Sequence, residues 1–395
     1  YRMNNSIKIS KGDFCIGLYI FTICFNLIMQ TLAGTNIQNI LFIPKEVLYS
    51  LTPKISLLLF IIIFFINGTV SKRIMYVSLV LGIVTIIVTS ITNNYALALM
   101  FMAIMTCPSG MEISTIAKWE KRSLFCLIVF TIALAVMGII PSDVVYRENA
   151  IRNSYGFTSA NAFANSTLIW MLLFGLQKKE RWNWRDTIFC GSIAVAVFLF
   201  TNSRMAFIMS LVLSLFFLML KKENRFKGKI LYQISKLCFP VLMIVCYICS
   251  WLYKGGYYIS QLNILNIMMS YRLGFMRNYL RGYGIKLFGQ TIKTVSYSQA
   301  LRTGEAWSGL DNSYMYILIC WGLIIAIILS LLYYQLGKYN YEKTNKYEAF
   351  VVIVLCIIGI TENYLSLVGD NIAIIMIAIM LNKNSRIFGK MKRYS

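Results

Sequence analysis

Apolar runs follow one another along this chain, joined by short loops that alternate between basic and sparsely charged. That alternation constrains the fold more than any single motif. The chain is 58% hydrophobic and 13% charged. In hydrocarbon only helices or closed barrels satisfy their own backbone groups. The apolar runs are continuous rather than alternating residue by residue, so they predict helices and not barrel strands. The expectation is an all-α polytopic membrane protein with about twelve transmembrane helices, forming a single integral membrane domain over residues 1–395.

The spans are predicted near Phe14–Leu32, Val47–Ile66, Ile74–Ile91, Tyr95–Met111, Ser123–Ile140, Ala160–Leu176, Thr187–Thr201, Arg204–Leu220, Gln233–Tyr253, Asn312–Leu336, Tyr347–Thr361 and Tyr364–Leu381. The formal net charge of +23 is concentrated on one side of this threading. Its blocks include Lys72-Arg73, Lys118 with Lys121-Arg122, Lys178 to Arg185, Lys221 to Lys236, Lys338 to Lys346 and Lys383 to Arg393. This is the positive-inside pattern, which places both termini in the cytoplasm. Short connecting loops make no folded basic face, so a nucleic-acid partner is not expected. Phe14–Leu32 is long enough to span and no A-x-A site follows it, so retention is expected rather than cleavage as a signal peptide.

The ten cysteines lie in or at the ends of apolar spans and suggest no disulfide framework. Cys246 and Cys249 make a CxxC with no histidine or carboxylate beside it and read as small apolar fillers. The chain has no histidine, which removes the commonest general base and metal ligand. No D-x-D motif occurs, so a sugar-nucleotide site with a divalent metal is not supported, and no cofactor is expected.

One loop breaks the pattern. Residues 254–311 form a large extracytoplasmic loop between spans nine and ten, polar yet rich in arginine. Its Leu262–Leu280 stretch has apolar residues at helical spacing and predicts a surface helix over the bundle. Arg272, Arg277, Arg281, Lys286, Lys293 and Arg302 lie there, Arg147 and Arg152 precede span six, and Arg204 starts span eight beside Ser203. Positive charge where topology does not require it points to an anionic ligand, although solvated charge and lipid headgroup contacts are the alternatives. Arginine grips diphosphate oxygens two at a time. Ser159 is placed to cap span six, aiming that helix's positive end at the same anion. The threading leaves mid-span positions nearly free of charge.

The run RNSYGFTSAN (Arg152–Asn161), TNSR opening span eight, YRLGF and LFGQ in the long loop, and DNSYMYILICWGL entering span ten resemble, in that order, the O-antigen polymerase (Wzy-type) family, within a superfamily shared with the O-antigen ligases. The resemblance implies a GT-C-like bundle in the bacterial cytoplasmic (inner) membrane. It implies a polysaccharide polymerase for O-antigen, capsule or exopolysaccharide, a glycosyltransferase joining oligosaccharide repeat units carried on undecaprenyl diphosphate. The substrate would be that lipid-linked oligosaccharide among membrane lipids, with a flippase and a chain-length regulator as possible partners. The ligases carry an important histidine in the long loop, and this chain has none. A ligase remains the nearest alternative, and a lipid-linked sugar transporter or flippase the next.

Under this reading Arg152, Arg204 and Arg272 stabilise the leaving diphosphate. The outward acids are Glu46, Asp143, Glu148, Glu305, Asp311, Glu362 and Asp370. Glu305 and Asp311 are best placed as a base, although Asp311 could cap span ten and Glu305 could pair with Arg302. Glu362 and Asp370 are expected to pair with outer arginines. Tyr155, Asn161, Ser203, Arg277, Arg281, Trp307 and Asn312 are candidate substrate contacts.

Overall fold

A computed structural model of the protein describes residues 10–40, 43–67, 72–147, 150–222, 229–254, 259–295, 304 and 308–391. Six of its helices are long and apolar enough to cross a membrane, and the protein is a helical multi-pass membrane protein. Those six are α1 (Lys11–Ala33), α2 (Lys45–Asn67), α7 (Trp184–Thr201), α8 (Arg204–Lys222), α9 (Lys229–Lys254) and α13 (Leu323–Glu342). Between them run α3 (Lys72–Thr92), α4 (Ala96–Thr106), α5 (Ile113–Val136) and α6 (Ala160–Lys178). The later elements are α10 (Ile259–Met268), α11 (Arg272–Tyr283), α12 (Ser313–Tyr316), α14 (Lys346–Ile358) and α15 (Ile372–Met391).

The core lies around α6, α14 and the first half of α15. Nearly every residue of α14 is buried, and α6 is buried on most of its circumference. A helix that is apolar all round belongs in the interior. Small residues permit the closest approaches: Gly175 of α6 meets the Phe217 ring of α8, and Gly337 of α13 meets the Lys236 backbone of α9.

Loop contacts fall into two groups. At one end Lys178 pairs with Asp186, Lys179 with Glu348, and Lys346 donates to the Leu220 carbonyl. The other end is rich in loops. There a short antiparallel pair, β1 (Asn39–Ile40) and β2 (Ile43–Pro44), lies between α1 and α2, and the antiparallel pair β3 (Val144–Arg147) and β4 (Ala150–Asn153) leads into α6. Backbone bonds from Asn36 to Gly156 and from Thr158 to Gly34 tie that entry to the end of α1.

Three boundaries differ from the sequence expectation, each for a physical reason. α5 begins at Ile113, not Ser123, because the basic side chains occupy its first turns: Lys121 reaches Gln177 and Arg122 lies over the Trp119 ring. The last helix begins at Ile372, not Tyr364. The segment ahead of it turns back into the bundle, held by Asn371, which donates to the Leu365 carbonyl and the Tyr333 hydroxyl. The surface helix of the long loop is two helices, α10 and α11, because Ser270 and Tyr271 both adopt left-handed backbone.

The segment expected from sequence as the tenth span is interrupted. After α12 a π-helical turn (Ile317–Trp321) ends at Gly322, whose φ is +88°. Residues of the long loop fill the break: Leu323 N–H donates to the Lys286 carbonyl, Ile324 to Leu287, and Gln290 N–H donates to Cys320. A Cβ on Gly322 would collide with the Gly289 nitrogen and lie 2.5 Å from the Leu287 oxygen, so only glycine lets the two chains cross.

Candidate active site at the loop-rich end

Arg152 lies on β4 and points across to the α7–α8 hairpin. Its Nε donates to the Thr201 carbonyl at 2.7 Å and its Nη2 to Asn161 Oδ1 at 2.6 Å. Ser203 donates its hydroxyl to the same Asn161 oxygen at 3.2 Å. The β4 strand and the α7–α8 hairpin therefore converge on one amide of α6. Asn202 makes this possible by closing α7 in left-handed backbone (φ +45°), which turns the chain directly into α8. Arg204, the first residue of α8, is exposed beside this cluster. Ser159 caps α6, accepting from Ala162 N–H at 3.1 Å, so the positive end of α6 opens next to Arg152. Ser203 spends its hydroxyl on Asn161.

A second cluster forms at the start of α11. Arg272 Nη2 donates to Glu362 Oε1 at 2.9 Å, and its Nε lies 3.9 Å from Asp311 Oδ2. The guanidinium side chain is 13% exposed, Glu362 19% and Asp311 39%. At 3.9 Å the Asp311 contact is an ion pair and not a hydrogen bond, which leaves the buried Nε–H unspent. The sequence expectation that Glu362 pairs with an outer arginine holds, and the arginine is Arg272. Burial pushes the Glu362 carboxyl up to about 7; Arg272 and the Asn165 amide oppose the shift, while Asp311 adds to it. Burial also raises Asp311, against the pull of Arg272. Asp370 is likewise pushed up to about 7 by burial.

Asn165 links the two clusters. It lies one helical turn beyond Asn161 on the same face of α6 and is 4% exposed. Asn161 thus serves the Arg152 cluster and Asn165 the Arg272–Glu362 cluster, on one rigid helix.

The remaining candidate residues are placed as follows. Asn312 is fully buried: its amide caps α12 at Met315 N–H and donates to the Ile360 carbonyl. Asn312 rather than Asp311 is therefore the cap of that helix, which leaves the Asp311 carboxylate to Arg272. Tyr155 packs edge-on to Phe163 and Phe200. Arg277 lies over the Tyr253 ring with its Nε–H buried and unbonded, and Arg281 is exposed in the last turn of α11. Glu305 and Trp307 lie outside the described residues.

A groove of about 850 Å³ opens beside the interrupted span, lined by Ile91, Tyr283 and residues 285–291. Its lining is mainly apolar, with Lys286 and Gln290 as polar members. Asn165 and this groove were not singled out from the sequence. No protein-family model, no curated protein and no solved structure matches the chain.

Proposed function

We propose that the protein is a polysaccharide polymerase, crossing the bacterial cytoplasmic membrane about twelve times and joining undecaprenyl-diphosphate-linked oligosaccharide units at its outer face. The observation that carries this reading is the Arg272–Glu362 pair: a guanidinium with an unspent donor held against a carboxyl that titrates near neutrality. The order of motifs from Arg152 to Gly322 supports the same reading.

In the proposed reaction a hydroxyl of the incoming unit attacks the anomeric carbon of the growing chain. A new glycosidic C–O bond forms, and the bond from that carbon to the diphosphate oxygen breaks with its electron pair. The hydroxyl proton passes to Glu362. Taking that proton neutralises the partner of Arg272, and the guanidinium is released towards the departing diphosphate. General-base help of this kind contributes ~10²–10⁴-fold in rate. The start of α6 turns its positive end toward an anion, and the apolar groove beside Leu287 suits the isoprenoid tail.

Purified protein supplied with lipid-linked repeat units should lengthen them, with products read by mass spectrometry, and Glu362→Gln should stop lengthening. Transfer of unpolymerised units to a different acceptor would instead identify a ligase. The interrupted tenth span favours one other reading, a carrier of lipid-linked sugars, since broken helices are common where transporters bind their cargo. Movement of labelled lipid-linked sugar across vesicles without lengthening would establish that reading.

A further inference from the structure

Glu120 is the second buried carboxylate of consequence, and the proposed reaction makes no use of it. It lies on α5, 1% exposed, and neither of its carboxylate oxygens has a hydrogen-bond partner. Among the described residues no cation pairs with it. On its own helix Lys121 reaches Gln177, and Arg122 turns out over Trp119. On α6 Lys178 pairs with Asp186. The titratable groups facing Glu120 are Tyr19 and Cys24 of α1 and, acting through its charge, Asp370 ahead of α15. None of these is a cation. An ionised carboxylate buried without a partner is too costly to persist.

α1 presents a polar face along this contact. Tyr19, Asn26 and Gln30 are spaced seven and four residues apart, which places them on one side of the helix. Tyr19 donates its hydroxyl to the Ala103 carbonyl. Asn26 is fully buried and its Oδ1 has no partner. Gln30 accepts from Gly369 N–H, next to Asp370, at the loop-rich end. Unsatisfied acceptors in a bundle interior are the places where water or a proton is held.

We propose that Glu120 is a proton-binding site inside the bundle, loaded at neutral pH, and that it exchanges its proton with the loop-rich end along the Asn26–Gln30 face of α1. The ligand is a proton taken from water, and no covalent bond between heavy atoms changes. This site is independent of sugar transfer, and either proposal can fail without the other.

Infrared difference spectroscopy of the full chain in lipid nanodiscs tests the site directly. Wild type minus Glu120→Gln should show a protonated-carboxyl carbonyl band at neutral pH. The band should shift on transfer to D₂O, and it should shift more slowly in Asn26→Leu. Glu120→Asp, which keeps the carboxyl, should move the band and not remove it; it serves as the reference if the glutamine variant does not fold. Carboxylate bands from Glu120 at neutral pH would overturn the proposal, and so would loss of the acid band on adding sodium at constant pH. An acid band that never shifts in D₂O would show a sealed group and also overturn it. Equal exchange in wild type and Asn26→Leu would overturn the route.

Discussion

Arg272 Nη2 lies 2.9 Å from Glu362 Oε1, joining the first residue of α11 to the loop between α14 and α15 across 90 positions of sequence. The bond sets a pH dependence with a definite sign. Glu362 titrates at about 7 against an ordinary 4.5. If it accepts the hydroxyl proton, chain lengthening should rise with pH through about 7, and Glu362→Asp should keep a displaced form of that limb. Rates measured across the pH range on lipid-linked substrate check this.

The same shift has a consequence for stability. A carboxyl raised in the folded state binds its proton more tightly there than in the unfolded chain. Its contribution is therefore fully present below 4.5 and is lost as pH rises through about 7. Thermal unfolding in detergent should show Glu362→Gln gaining stability relative to wild type at pH above that window. No such difference is expected at acid pH.

Arg152→Lys should weaken the entry to α6. The guanidinium bonds both the Thr201 carbonyl and Asn161, and a single ammonium cannot span that pair. Hydrogen bonds to charged groups contribute about 1.5–3 kcal/mol each, so a lowered melting temperature and shortened polymer are expected. Asn161→Ala should have a similar effect. Because both changes remove the same contact, the double variant should fall short of the sum of the singles.

Asn312→Ala should act through folding. The side chain caps α12 and holds the Ile360 carbonyl in a fully buried place. Losing it leaves buried groups unpaired at about 1–3 kcal/mol each. The folded fraction should bind lipid-linked sugar as wild type does. Weaker binding at full folding would return Asn312 to the substrate contacts expected from sequence.

Gly322→Ala should be among the most damaging single changes in the chain. The added methyl meets the Gly289 backbone, and φ of +88° is strained for any residue with a Cβ. A loss of about 3 kcal/mol or more is expected, read as aggregation on size exclusion and a lower melting temperature. Leu323→Ala, whose side chain is part-exposed, should be milder.

Charge and hydropathy made much of this arrangement legible. The continuous apolar runs marked membrane-crossing helices, and the polar run from Arg152 to Asn161 marked the entry to α6 with Ser159 as its cap. The break at Gly322 was not legible, because the apolar sequence on both sides reads as one continuous span. What interrupts that span is the returning loop, whose backbone takes the hydrogen bonds a straight helix would have kept. Asn165 was equally hidden: one amide in a buried helix carries no signal until Glu362 is placed opposite it. Glu120 sits in a basic block, and its burial follows from α5 starting ten residues before the expected span.

The strand of loop lodged in the tenth span ties two kinds of motion together. A segment hydrogen-bonded into the bundle at Lys286, Leu287 and Gln290 cannot swing aside as a free lid while the helices stay still. Any displacement of that segment requires the half-helices on both sides of Gly322 to tilt with it, so a push at the surface is felt as torque deep in the helical core.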